Sequence, residues 1–217
     1  MSVVTISREY GSGGREVAHK AADLLGFHLV EKDFMGKLLA SYGLIDFEKG
    51  YKEESSVWAS LDTNLKTMMG MLERMDLALA RHGHAVILGR GGYAALSGKS
   101  GVFNVRLRAP FDWRVDRVMR IQSISDRSKA EAAVREGDKL RTSFVSSVYG
   151  IRWDSVEHID LVMDTSKIGI DRAARWIDEA QRNIPADPSR SGLGESDSVL
   201  DEAVADLLAC DGKVETK

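Results

Sequence analysis

Five short apolar runs, each followed by a stretch of helical periodicity, constrain this chain more than any other feature. The runs lie at residues 3–7, 27–30, 85–88, 102–107 and 160–163. The third is apolar throughout, as a strand covered on both faces is. After the first run, Val17, Ala18, Ala21, Ala22, Leu24 and Leu25 form a helical stripe. Gly26 follows, where a left-handed residue closes a helix. Further helices are expected over 33–42, 61–81, 111–121 after Pro110, 128–148 with a break at Gly137, and 169–182. Leu61, Leu65, Met68, Leu72, Met75 and Leu79 line one side of the second of these. Its methionines read as adaptable core. Strands separated by helices imply an α/β fold: a parallel sheet with right-handed crossovers and helices on both faces. Ligands in such folds bind at the carboxyl ends of the strands.

Length and charge narrow the choice of partners. The 217 residues suit one sizeable domain, or a domain with a tail. We expect a domain over 1–183 and an acidic tail over 184–217 carrying a short helix. Residues 184–197 hold two of the three prolines among Ser, Gly and Asp, a linker composition. From Asp187 onward there are eight Asp or Glu against three Lys or Arg, a local net of −5. Val199, Leu200, Ala203, Val204, Leu207 and Leu208 recur there at helical spacing, as a loosely ordered tail or as a docking helix for a protein partner. The whole chain carries −3, so neither nucleic acid nor an anionic membrane is an expected partner. One cysteine, Cys210, cannot pair internally, which fits a cytoplasmic setting.

The first run ends in Ser7-Arg8-Glu9-Tyr10-Gly11-Ser12-Gly13-Gly14-Arg15-Glu16, and a helix follows at once. Glycines let the backbone approach phosphate oxygens, and a helix N-terminus presents free N–H groups. Standard phosphate loops end in a lysine with a hydroxyl residue after it. In the register overlaying Gly11-Ser12-Gly13, the opening glycine is replaced by Arg8 and the lysine by Gly14, and no hydroxyl residue follows. Gly98-Lys99-Ser100 imitates the end of such a loop, but it precedes a strand and reads as a surface turn. Arg90, flanked by glycines after the third run, is placed to grip a phosphate or to lie exposed in a loop. Glu31 and Asp33 follow the second run, as acceptor-side carboxylates or as a helix-capping cluster. Arg135, Lys139 and Arg141 put cations on about two helical turns, a lid or a solvated face. Arg114, Arg117 and Arg120 recur every three residues and are expected mostly at the surface.

The strings ISREYGSGGREV at 6–17, VILGRGG at 86–92, VRLRAPFDWRVDR at 105–117, DKLR at 138–141 and DLVMDTS at 160–166 resemble the cytidylate kinase-like branch of the P-loop nucleoside monophosphate kinases. The similarity covers about residues 3–182 and omits the tail. It implies a three-layer α/β/α P-loop core, five parallel strands in the order 2-3-1-4-5, and a helical lid. It implies ATP with Mg²⁺ as phosphoryl donor and a nucleotide such as CMP or dCMP as acceptor. By position, Gly11, Ser12, Gly13, Gly14, Arg15 and Glu16 would wrap the donor phosphates, and Glu31, Asp33 and Arg90 would meet the acceptor. Lys139 and Arg141 would act from the lid, with Arg15, on the transferring group. The metal ligands stay unassigned. Leu88 stands where cytidylate kinases have an Asp, and their acceptor-base insert is not recognisable over 42–60, where Trp58 is a candidate for stacking on a base. With no loop lysine, Arg8, Arg15 and Lys20 are the candidate substitutes. A nucleotide-binding regulator with little catalysis and a kinase for a non-nucleotide acceptor are the alternatives.

Overall fold

In the computed structural model, residues 2–41, 62–184, 192–193 and 197–211 are described. The first apolar run is β1, Val3–Arg8, the central strand of a five-stranded sheet. β3, Ala85–Leu88, pairs with it on one side and β4, Val102–Arg108, on the other. β2, His28–Val30, flanks β3, and β5, Leu161–Asp164, flanks β4. Every pairing is parallel, and the order is β2-β3-β1-β4-β5, the order the resemblance implies.

Parallel neighbours need crossovers, and the helices supply them. They are α1 (Gly14–Leu25), α2 (Lys32–Ser41), α3 (Asp62–His82), the single turn α4 (Gly92–Ala95), α5 (Phe111–Ile121), α6 (Arg127–Tyr149), the single turn α7 (Thr165–Ile168), α8 (Ile170–Asn183) and α9 (Ser198–Asp211). Val17, Ala18, Ala21 and Ala22 of α1 meet Ala173, Ala174 and Ile177 of α8 over one sheet face. The alanines let these two helices lie close together. Leu38 and Leu39 of α2, Leu72, Met75 and Leu79 of α3, and Phe144 and Val148 of α6 cover the other face. Met75 of the expected methionine stripe is core there, as its spacing predicts. Gly26 closes α1 with φ 68°.

Helix α6 runs unbroken through Gly137, contrary to the expected break. A Cβ at Gly137 would overlap the Tyr10 ring, so the glycine marks a close approach and not a helix end. Helix α9 packs on α3, with Leu200, Val204 and Leu208 buried in the same cluster as α2 and α3. Arg81 of α3 grips Asp201 with Nη2 to Oδ1 at 2.8 Å and Nε to Oδ1 at 3.0 Å. The acidic segment thus returns to the core through its apolar side. Gly98 sits in a turn, and Lys99 Nζ donates to Gly192 O at 3.2 Å, so the imitation phosphate loop is a surface turn. Residues 42–60, including Trp58, lie outside the described residues, as do most of 184–197 and the side chains of Leu61, Leu65 and Met68. No described helix is long and apolar enough to cross a membrane.

Candidate active site

The turn after β1 is built for a close approach. Gly11 and Gly13 have φ of 80° and 79°, where side chains are strained. A Cβ on Gly11 would also sit 2.9 Å from Arg114 O. Ser12 is fully buried; its hydroxyl donates to Glu9 O at 2.8 Å, and its carbonyl accepts from Thr165 Oγ1 at 2.7 Å. Its side chain holds the turn, which leaves backbone groups to face a ligand. Gly14 opens α1, so the unpaired N–H groups of a first helical turn lie beside the glycine loop. Together they form an anion cradle.

Helix α5 supports that loop from behind. Arg114 and Arg117 were expected mostly at the surface, yet both are buried; only Arg120 is exposed. Arg114 donates to Ala109 O at 3.0 Å, to Tyr10 O at 2.9 Å and to Asp138 Oδ2 at 2.6 Å. Asp138 Oδ1 accepts from the Tyr10 N–H at 2.8 Å. One carboxylate therefore ties the loop and α5 to α6. Arg117 is bonded to Glu16 of α1.

At the ends of β1 and β3 lies a cleft of about 540 Å³, lined by Ser7, Arg8, Gly89 and Arg90 and not by Gly11–Gly14 themselves. Its described lining includes Arg8, Lys32, Arg90, Lys139 and Arg141 against one carboxylate, Glu136. This concentration of cations suits a polyanion. Gly89, Arg90 and Gly91 have φ of 82°, 54° and 77° in succession. Tyr149 donates to Arg90 O at 3.2 Å and packs where a Cβ on Gly91 would be. The guanidinium of Arg90 lies 5.5 Å from the Phe144 ring centroid. Arg141 stacks over Tyr10 at 5.2 Å and donates to Gly137 O at 2.5 Å. The far end of the cleft is aromatic, with Tyr93 and Trp153. They enclose buried Arg106, whose centre is 5.2 Å and 4.9 Å from their rings. Arg106 Nε and Nη2 have no hydrogen-bond partner among the described residues. Burial pushes the Tyr93 phenol up, and Arg106 opposes that shift.

Several expected site residues stand elsewhere. Arg15 makes a two-pronged pair with Glu31, at 2.9 Å and 2.8 Å, and neither lines the cleft. The Glu31 carboxylate raises the Arg15 guanidinium above its ordinary value. Asp33 lies within the first turn of α2, where its charge favours the helix N-terminus. Lys20 pairs with Asp171 at 2.6 Å. Arg135 stacks on Phe111 at 4.3 Å. The cleft therefore gathers Arg90, Lys139 and Arg141 with Arg8, and its lining leaves out Gly11–Gly14, Arg15, Glu16, Glu31 and Asp33. Lys32, Asp138 and Arg106 were not singled out as individual site residues in the sequence. Asp138 lay within the DKLR string, but nothing in the chain marks its partners, which are 24 and 128 residues away.

Among the described residues no group of three or more His, Cys, Asp or Glu converges to hold a metal. Glu16 and Glu31, near the loop, are each held by an arginine. Mg²⁺ keeps water and substrate phosphates as most of its ligands, so the residues present fit an ion carried in on phosphates.

The profile of the cytidylate kinase-like family matches residues 3–167. A cytidylate kinase of Ignicoccus hospitalis is 30% identical over 181 residues, 82% of this chain and 97% of its own. One from Pyrobaculum islandicum is 28% identical over 178 residues, 81% of this chain and 90% of its own. The crystal structure of an uncharacterized protein from Eubacterium ventriosum superposes with a TM-score of 0.62 at 19% identity, over 85% of this chain and 100% of that one, and so shares the fold.

Proposed function

The chain belongs to the cytidylate kinase-like family and is a phosphotransferase, and from that premise we propose that it carries the γ-phosphoryl of ATP to a nucleoside monophosphate, CMP or dCMP. The observation that carries this reading is the cleft at the end of β1, whose described lining sets five cations against one carboxylate.

An oxygen of the acceptor phosphate attacks the γ-phosphorus, the bond to the bridging β-oxygen breaks, and ADP leaves. Little covalent work falls to the protein; positioning and charge neutralisation do most of it. The backbone N–H groups of Gly11–Gly14 hold the donor phosphates. Arg90 grips the acceptor phosphate through two parallel hydrogen bonds. Lys139 and Arg141, on α6, neutralise charge on the equatorial oxygens. Mg²⁺ brought in on the nucleotide would supply further neutralisation of the donor's phosphate charge. Glu16, in the first turn of α1 and paired with Arg117, would be the carboxylate to hold one of its waters. The Arg15–Glu31 pair braces α1 against the start of α2.

Product analysis by HPLC from ATP, Mg²⁺ and a panel of nucleoside monophosphates, beside an acceptor-free control, tests the reading. CDP or dCDP above the control is expected. Product from a different monophosphate alone, or from none, overturns the acceptor assignment.

A further inference from the structure

Resting on that kinase reading, we propose that Arg8 takes the place of the missing loop lysine, and that Gly14 is glycine because the stem of Arg8 occupies the space its side chain would fill. Arg8 is the last residue of β1. A Cβ on Gly14, the lysine position, would lie 2.6 Å from both Cβ and Cγ of Arg8. These are stem atoms close to the backbone, so they cannot swing aside as a side-chain tip can. A lysine at 14 and an arginine at 8 therefore compete for one volume. The stem passes over the first residue of α1, and its guanidinium reaches β3, where a Cβ on Gly89 would overlap Nη1.

That path ends at Gly89, the residue next to Arg90, and Arg8 lines the cleft with Arg90, Lys139 and Arg141. A phosphoryl group passing from donor to acceptor crosses this place. The strand fixes the start of the side chain: Arg8 lies in register with Leu107 of β4. Arginine keeps its charge at any working pH and presents donors in a fixed fork. The other two candidates do not reach the cleft. Arg15 and Lys20 are absent from its lining. Arg8 is thus the cation that contacts the transferring phosphoryl, supplied from the strand end where standard loops supply one from the helix.

The test uses the full chain and two readouts: kcat with the best acceptor of the panel, and the ratio of ATP to ADP affinity from calorimetry without acceptor. Arg8→Met keeps the stem over Gly14 and removes the charge. We expect it to lower kcat by about 10²-fold and to abolish the preference for ATP over ADP. Gly14→Lys alone is expected to lose activity, since Arg8 fills the space. Arg8→Ala with Gly14→Lys is expected to exceed either single variant by about tenfold in kcat. Wild-type kcat and an unchanged ATP-to-ADP ratio in Arg8→Met overturn the proposal while leaving the kinase reading intact. So does a double variant no better than Gly14→Lys alone. If the wild-type chain phosphorylates nothing in the panel, the acceptor reading fails, and the affinity ratio still decides the place of Arg8. Unfolding in urea, compared across the variants, separates loss of contact from loss of fold.

Discussion

Gly137 sits in the middle of a 23-residue helix, where alanine would ordinarily be favoured by about 1 kcal/mol. Here the sign reverses, because a Cβ would overlap the Tyr10 ring. Gly137→Ala is expected to destabilise the protein by about 1–2 kcal/mol in urea unfolding, the cost of an overpacked contact. Tyr10→Ala in the same chain should recover most of that loss, and a Gly137→Ala variant more stable than wild type would show the ring is not pressed there. Asp76 is a second residue with a hidden cost. It is fully buried on α3, and its Oδ1 has no hydrogen-bond partner among the described residues. Burial, with help from Glu73, pushes its carboxyl up to about 8. In the unfolded chain it ionises near 4, at about 3.9. Between those values the folded protein keeps a proton that the unfolded chain has lost. Its contribution is therefore complete below about pH 4 and is lost as pH rises through about 8. Asp76→Asn removes that loss. Its urea midpoint should gain on wild type between about pH 5 and about pH 8.5, and a constant difference would place the titration elsewhere.

At the scale of elements, α9 shows how a short acidic helix becomes part of the core. Its mean composition is acidic, yet Leu200, Val204 and Leu208 fall on one side and are buried. The Arg81–Asp201 pair fixes its register on α3. Leu200→Ala should cost about 2–5 kcal/mol in urea unfolding, the range for emptying a full leucine site in a packed core. A loss below about 0.5 kcal/mol would mean that the helix does not bear on the core. Helix α6 shows the reverse arrangement. One part of it packs as core through Phe144, Val145 and Val148, while Lys139 and Arg141 line the cleft and Asp138 holds the loop. Movement of this helix would therefore act on the glycine turn directly through the Tyr10 N–H.

For the whole molecule, a net charge of −3 conceals a cationic cleft. Attraction of an anion to such a cleft is screened as salt rises, over a distance of about 10 Å at 0.1 M. Inorganic tripolyphosphate should bind on the order of tenfold more weakly at about 0.5 M KCl than at about 0.05 M, measured by calorimetry. Affinity independent of salt would show that the five cations do not hold it. The features legible along the chain were local. Period-two and period-3.6 patterns, the left-handed glycines and the strand-turn-helix at the chain start depend on neighbours within a few residues, so five strands, their helices and the phosphate-loop shape were legible. Family resemblance added the strand order. What only the tertiary structure decided were encounters between distant residues. The string that makes Arg114 look like a surface cation is silent about Asp138, and nothing near Gly14 says that the stem of Arg8 lies over it. Arg15, Glu31 and Asp33 stand in promising places along the chain, but two of them satisfy each other outside the cleft. Charges find partners by distance in space, and chain order carries that distance only within a turn or two of helix.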